Sequence, residues 1–119
     1  MSNRAIRVAG EVHKALSDIL SRGIRDPRYK PISITEVECT ADLRLARVRF
    51  VPLGGDGDPS TILEGLQSAS GFISREVAKR VRVKYSPKIE FFIDEHYLDN
   101  IRLIERLEGL SDQRDADED

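Results

Sequence analysis

The sequence predicts an α+β domain in which a three-stranded mixed sheet carries helices on one face. Its 119 residues suit a single domain. Apolar residues switch between helical and strand spacing in the order helix, strand, strand, kinked helix pair, strand, helix. The connection between the first two strands is short, which favours an antiparallel hairpin, and the long helical crossover to the third strand permits a parallel pair.

The first helix is predicted over residues 4–22, and its boundaries follow from residue type. Its apolar stripe recurs at helical spacing and comprises Val8, Val12, Leu16, Ile19 and Leu20. Gly23 favours a helix stop. Pro27 cannot continue a helix, so Asp26-Pro27-Arg28 predicts a turn.

Two strands are predicted next, over residues 31–40 and 45–51. The first is rich in β-branched residues, but its apolar positions change from even numbers (Ile32, Ile34) to odd numbers (Val37, Cys39). Such a change predicts a β-bulge or a late strand start. In the second strand, Arg47 and Arg49 alternate with apolar residues, so they should lie on the face opposite the core.

The kinked helix pair follows a Gly- and Asp-rich loop at residues 52–59. Asp58 can cap the helix that Pro59 begins, and helical spacing continues to about Val83. A third strand is predicted over residues 88–94. The last helix is predicted from about Tyr97 to Glu108 and to end at Gly109, with an inward face of Leu98, Ile101, Ile104 and Leu107.

Charge is distributed unevenly along a chain whose net charge is −2. Residues 111–119 hold five acids and one Arg, and they predict an acidic disordered tail after a domain at residues 1–110. The remaining body has a net charge of +2, and residues 75–88 hold six basic residues and one acid. Clustered cations neutralise phosphates and release counterions, which favours binding to RNA of any sequence.

Three groups of cations are therefore candidate RNA contacts, with an ordinary solvated surface as the alternative for each. The first lies on a predicted helix from Phe72 to Val83 and just beyond it: Arg75, Lys79 and Arg82 at i, i+4, i+7 spacing, with Arg80, Lys84 and Lys88. The second comes from the first helix and the turn after it: Arg4, Arg7, Arg22, Arg25, Arg28 and Lys30. The third is Arg47 and Arg49 on the hairpin, where Arg44 is assigned to ordinary surface charge. Because few aromatics are candidates for base stacking, recognition of RNA backbone and shape is expected.

Residues of the kind that enzymes use are present without the patterns that enzymes need. His13 and His96 lack a ligand-rich neighbourhood, Cys39 is the only cysteine, and the Gly54–Asp58 loop lacks the spacing and closing Glu of a calcium loop. We therefore expect no enzyme, no metal and no cofactor. Without an apolar run of membrane-spanning length or a signal peptide, we expect a cytoplasmic monomer that does not enter membranes.

The residues also carry a family resemblance, spread over positions 4–107. The motifs are Arg7-Val8, Asp26-Pro27-Arg28, Ile34-Thr35-Glu36-Val37, Asp42-Leu43, Ala69-Ser70-Gly71 and Pro87-Lys88-Ile89-Glu90-Phe91. In this order and spacing the chain resembles ribosome-binding factor A, and its element order is that of a type II KH domain. The resemblance implies a non-catalytic assembly factor that binds the free 30S small ribosomal subunit and its 16S rRNA. It also implies support for late subunit maturation, including processing of the 5′ end of the rRNA, and for growth in the cold.

One departure from ordinary KH domains concerns the junction of the helix pair. KH domains clamp nucleotides with a Gly-x-x-Gly loop, which this sequence lacks. In its place Ala69-Ser70-Gly71 resembles the family's Ala-x-Gly kink, which we expect to set the angle of the basic helix. A positive φ at Gly71 would give the kink a physical cause, and the alternative is a glycine in ordinary helical conformation. A protein-interaction module with an incidental basic helix remains the alternative function.

Overall fold

A computed structural model describes residues 3–117 of the chain, and the side chains of residues 3–109. The elements in chain order are α1 (Asn3–Ser21), β1 (Ile32–Cys39), β2 (Leu45–Pro52), a 3-10 turn (Leu53–Gly55), α2 (Pro59–Ser68), α3 (Ser70–Arg80), β3 (Lys88–Ile93) and α4 (Glu95–Asp117). The order confirms the predicted sequence of helices and strands.

The sheet is three-stranded and mixed, with β2 in the centre. β1 and β2 are antiparallel, and their register shifts between Ile34 and Glu36, where the change of alternation predicts a bulge. β2 and β3 are parallel, from Leu45 beside Lys88 to Phe50 beside Ile93. Both predicted pairings and the bulge are confirmed.

One face of the sheet carries the core. The inward residues of β2, Ala46, Val48 and Phe50, are fully buried in a cluster that includes apolar side chains of α1, α2 and α3. Phe50 meets Phe91 of β3 edge to face, with ring centroids 6.4 Å apart. Three of the four helices thus share the buried face, whereas Arg47 and Arg49 lie exposed on the other.

Local capping chemistry fixes where two helices begin. The Asp58 carboxylate accepts a hydrogen bond from the Thr61 amide at 3.1 Å, and Pro59 opens α2, as predicted. Asp94 accepts from the amide of Tyr97 at the start of α4 and also from the Thr35 hydroxyl of β1 at 2.5 Å. Asp94 therefore joins the edge strand to the last helix.

Two predicted helix ends are wrong. α3 ends at Arg80 because Val81 adopts an extended conformation (φ −117°, ψ 128°), yet Val81 stays buried and so continues the apolar spacing. α4 continues through Gly109, which has no positive φ and therefore does not stop the helix. The acidic tail at residues 111–119 stays a prediction, because its side chains lie outside the described residues.

The inward face predicted for α4 is also wrong in part. Leu98 is buried, but Ile104 and Leu107 are exposed. The core cluster contains no residue of α4 among the side chains described. Within residues 3–117, no helix is both long and apolar enough to cross a membrane.

Candidate nucleic-acid interface

The junction between α2 and α3 is a break centred on Ala69. Ala69 ends α2 and precedes α3 with φ −92° and ψ 1°, outside the helical range of the flanking residues. Gly71 lies inside α3 without a positive φ, and a Cβ added there would meet only the Arg75 Nη1, at 3.5 Å. The expected bend is therefore present, but no left-handed glycine causes it.

A groove opens on one side of this break. It has a volume of about 470 Å³ and joins the first turns of α3, the turn before β2, and the segment that enters β3. We name it the cation groove, and its lining residues are Arg44, Ser70, Gly71, Ser74, Tyr85, Ser86, Lys88 and Ile89. The Ser74 hydroxyl donates to the carbonyl of Pro87, which ties α3 to the start of β3.

Cations and one exposed aromatic ring converge on this groove. The guanidinium carbon of Arg44 lies 5.0 Å from the centre of the Tyr85 ring, and the Lys84 Nζ lies 5.4 Å from it. Lys88 lines the same groove. The Arg75 Nη1 lies beside Gly71, which is also a lining residue, so the Arg75 side chain reaches the edge of the groove. The groove is therefore suited to an anionic, partly aromatic ligand.

The predicted basic group of α3 divides into free and ion-paired members. Within the described part of the chain, no carboxylate pairs with Arg75 or Arg82. Arg80 instead bridges Asp18 of α1 at 3.2 Å and Glu76 at 3.0 Å, and Lys79 pairs with Glu76 at 3.2 Å. Arg82 does not share a helix face with Arg75, because α3 ends before it. Arg80 therefore joins α1 to α3 rather than extending a free cationic surface.

The second predicted group does not form one cluster. Arg4 and Arg22 stand at opposite ends of α1, about 27 Å apart at the helical rise per residue. Arg22 pairs with Asp18 and Lys30 pairs with Asp56, while Arg7 lies in the first turns of α1 near Arg4. Arg25 comes to the α2–α3 break, where it lines a second groove with Ala69 and the exposed ring of Phe72.

Arg28 has a structural role. Its guanidinium donates to both carboxylate oxygens of Asp26, at 3.0 and 2.8 Å, and to the Ser68 hydroxyl at 2.8 Å. These hydrogen bonds lower the pKa of Asp26 to about 2. Asp26-Pro27-Arg28 therefore anchors the turn after α1 to the end of α2.

The sheet-face cations are matched by acids. Arg49 lies 3.5 Å from Glu36 and Arg47 lies 4.0 Å from Glu38, each pair directly across β1 and β2. Arg49 also stands over the Phe92 ring at 5.8 Å. The geometry favours the solvated sheet face that was the alternative for this group.

The groove between α1 and β1 is less suited to phosphate than the cation groove. A groove of about 220 Å³ between α1 and β1 is lined by Glu36, Glu38 and His13, and its carboxylates would repel phosphate. Burial raises the pKa of the Cys39 thiol in the same groove, so the reactive thiolate is disfavoured. Among the described residues, no three His, Cys, Asp or Glu side chains gather as a metal site would require.

From the sequence, Tyr85 is one of four aromatics plausible for base stacking, with Tyr29, Phe92 and Tyr97, and Arg44 is assigned to surface charge; that these two lie together could have been found from topology. Parallel pairing sets Leu45 beside Lys88, so the residues just before each strand meet at one end of the sheet. The Lys88 amide accordingly donates to the carbonyl of Arg44 at 2.8 Å. The residue types alone do not indicate that Arg44 and Tyr85 lie together.

The chain is similar in sequence to proteins of one known family. The family model of ribosome-binding factor A matches residues 4–107. Ribosome-binding factor A of Acetivibrio thermocellus is 45% identical over 92 residues, which cover 76% of this chain and 75% of that protein. The Clostridioides difficile protein of the same name is 41% identical over an alignment of 122 residues, which covers 98% of this chain and 94% of that protein.

Solved structures have the same fold. The crystal structure of ribosome-binding factor A from Thermus thermophilus superposes with a TM-score of 0.66 at 20% identity, covering 75% of this chain and 93% of that one. A homology model of the Thermus thermophilus factor was fitted into the cryo-EM map of its complex with the 30S subunit. It superposes with a TM-score of 0.60 at 21% identity, covering 72% of this chain and 90% of that one. From the match over most of its length, the chain belongs to the ribosome-binding factor A family.

Proposed function

We propose that the protein is a non-catalytic assembly factor that binds the free 30S subunit through its 16S rRNA. Family membership supports this proposal, as does the 30S complex into which the Thermus thermophilus factor was fitted. Assistance in late maturation, including processing of the rRNA 5′ end, and a role in cold adaptation belong to the same proposal. We also propose that the protein is a cytoplasmic monomer and that it needs no cofactor.

The surface that we assign to RNA is the cation groove with its rim. The observation that carries the assignment is the convergence of Arg44, Arg75 and Lys88 around one concave surface beside the α2–α3 break. Of these, Lys88 lies 3.5 Å from Glu90, and Arg44 lies close to Asp42, whose carboxylate accepts a hydrogen bond from the Arg44 amide at 3.1 Å. The guanidinium groups of Arg44 and Arg75 form no ion pair within 4.0 Å among the described residues. A cation without an ion pair can neutralise a phosphate directly, and this releases counterions. A cation in an ion pair must first give up its carboxylate partner.

The exposed ring of Tyr85 extends this proposal beyond phosphate contact. Single-stranded RNA places unstacked bases on aromatic rings or on guanidinium planes, and Tyr85 lies beside Arg44 with both accessible from solvent. We therefore assign the groove to an unpaired segment of rRNA. Any base has a face that can stack, so this contact tolerates many sequences.

Co-sedimentation of the purified protein with separated 30S subunits, 50S subunits and 70S ribosomes tests the proposal. We expect binding to the free 30S subunit, with an affinity that falls steeply as salt rises. Absence of 30S binding, or equal binding to all three particles, would contradict it. Binding that is insensitive to salt would instead support the protein-interaction module, because apolar contacts are not weakened by screening.

A further inference from the structure

The last helix carries an apolar face that the described residues leave open. Leu103, Ile104 and Leu107 are 52%, 54% and 57% exposed. Spacings of three and four residues place them together on one side of α4, and Ile101 continues the same stripe toward the body. We name these four residues the α4 apolar face. Contiguous exposed side chains of this size mark an interaction surface more often than isolated ones do.

Charge divides the chain into a basic body and an acidic last segment. Residues 1–94 hold 16 basic and 12 acidic residues, whereas residues 95–119 hold three basic and nine acidic ones. The apolar face therefore belongs to a segment with a net charge of −6, whereas residues 1–94 have a net charge of +4. Residues 95–109, whose side chains are described, hold four acids and two Arg, so they are acidic themselves. A surface that covers the face should therefore be apolar at its centre and carry basic groups.

This charge decides between the possible occupants. RNA is repelled by the acids and offers no apolar groove, so the face does not suit it. A second copy of α4 would bring another net charge of −4 against the first, and this repulsion opposes self-pairing. A basic protein surface with an apolar groove satisfies both requirements, because an amphipathic helix binds such grooves through anchors at i, i+3 and i+4.

We propose that the α4 apolar face docks on a basic protein of the small ribosomal subunit, while the cation groove binds the RNA. The inference rests on the proposed subunit binding and adds a second, protein-directed contact to it. The two contacts use opposite charges, so they fit different components of one particle. Together they select a surface where rRNA and a basic protein lie side by side.

Binding to two matched targets tests this inference: intact 30S subunits and 16S rRNA freed of protein. The variant carries Leu103→Gln, Ile104→Gln and Leu107→Gln, which keep good helix formers at exposed positions. Ile6→Gln is the control, because Ile6 is an exposed apolar residue on another helix. We expect the α4 variant to bind intact subunits about tenfold or more weakly, with unchanged affinity for free 16S rRNA.

Each other outcome overturns the inference. Unchanged affinity for intact subunits would show that nothing on them covers the face. Equal loss on both targets would assign α4 to RNA or to the fold, and circular dichroism of the variant would tell these apart. Self-association of the wild-type chain that the variant abolishes would make a second copy the occupant. Failure of the wild-type chain to bind either target would remove the proposed function itself, a result separate from a failure of the α4 variant alone.

Discussion

Two helical glycines, Gly65 and Gly71, have opposite surroundings. Gly65 of α2 faces the turn after α1, where an added Cβ would lie 3.3 Å from both the Tyr29 amide nitrogen and the Arg28 Cβ. Gly71 of α3 has space, since its Cβ would meet only the far end of a flexible side chain at 3.5 Å. Tight packing therefore disfavours a Cβ at position 65, while position 71 has space for one.

Substitution of each glycine by Ala should separate these roles. Helix propensity favours Ala in both variants by up to about 1 kcal/mol. We expect Gly71→Ala to leave the free energy of unfolding unchanged or raised, and Gly65→Ala to lower it by about 1 kcal/mol because backbone must move. Urea unfolding of the two variants measures the difference. Equal stability of both would show that α2 can shift away from Tyr29 without cost.

The Asp26 carboxylate makes part of the stability depend on pH. Hydrogen bonds from Arg28 lower its pKa from 3.8 to about 2 in the folded chain. A carboxyl group whose folded pKa is depressed stabilises the fold above its unfolded pKa, and this contribution is lost as pH falls through the folded pKa.

Asp26→Asn should therefore reduce the melting temperature most above pH 4. The gap between wild type and variant should narrow as the pH falls from about 4 toward 2, because protonation removes the same interaction from the wild type. Thermal unfolding followed by circular dichroism across this range measures it. A gap that stays constant with pH would mean that the charge of Asp26 does not stabilise the fold.

The contacts of Arg28 could not be predicted from the sequence. The sequence places Arg28 two residues after Asp26 in a predicted turn, which makes it one of several candidate cations. Its hydrogen bond to Ser68 joins positions 40 residues apart, and only the packed fold brings them together. The same holds for the pair of Arg80 with Asp18.

Elements with clear periodicity were predicted well, and their ends were not. The change of alternation in β1 left a bulge or a late strand start open, and the structure has the bulge. The length of the crossover permitted the parallel β2–β3 pair, which the structure shows. The end of α3 was misplaced because Val81 is buried in an extended conformation and so imitates a further helical turn. An apolar stripe likewise cannot reveal whether its partner lies in the same chain, which is why α4 was expected to pack inward.

The segment between α3 and β3 carries the ring that we assign to base stacking. Tyr85 is 53% exposed, so its removal should leave the fold intact. Tyr85→Ala should weaken binding to single-stranded 16S rRNA fragments by about 1–3 kcal/mol, the usual contribution of one stacked base. Tyr85→Phe is the matched control, because it keeps the ring. Fluorescence titration measures both, and equal weakening by Ala and Phe would assign the effect to the hydroxyl group instead.

At the scale of the whole molecule, the segment at residues 111–119 should be dispensable for the fold. It contains Ala116 as its only apolar residue and cannot bury enough surface to contribute to the core. Deleting it should leave the melting temperature nearly unchanged while free RNA is bound somewhat more tightly, because a net charge of −4 is removed. A large fall in melting temperature in a thermal scan would show that this segment packs on the body.

Net charge over the whole chain concealed the division between basic body and acidic last segment. Charge counted by segment revealed it, and this count directed attention to residues 75–88 as candidate RNA contacts. The charge count does not show which cations lack an ion pair in the folded chain. Acids from other elements pair with Arg80, Arg47 and Arg49, and these partners are set by sheet register and helix packing.

We propose that the position of the cations, rather than total charge, governs binding to the subunit. The decisive measurement is the affinity for free 30S subunits as a function of salt for two triple variants with equal loss of charge. One removes the cations around the groove (Arg44→Gln, Arg75→Gln, Lys88→Gln), and the other removes ion-paired cations elsewhere (Arg22→Gln, Arg47→Gln, Arg49→Gln).

We predict that the groove variant binds more weakly and that its salt slope falls by about 0.7 to 0.9 for each phosphate that it no longer neutralises. The second variant should keep the wild-type slope, with circular dichroism confirming that both are folded. Equal weakening of the two variants, or a groove variant that binds like wild type, would contradict the account.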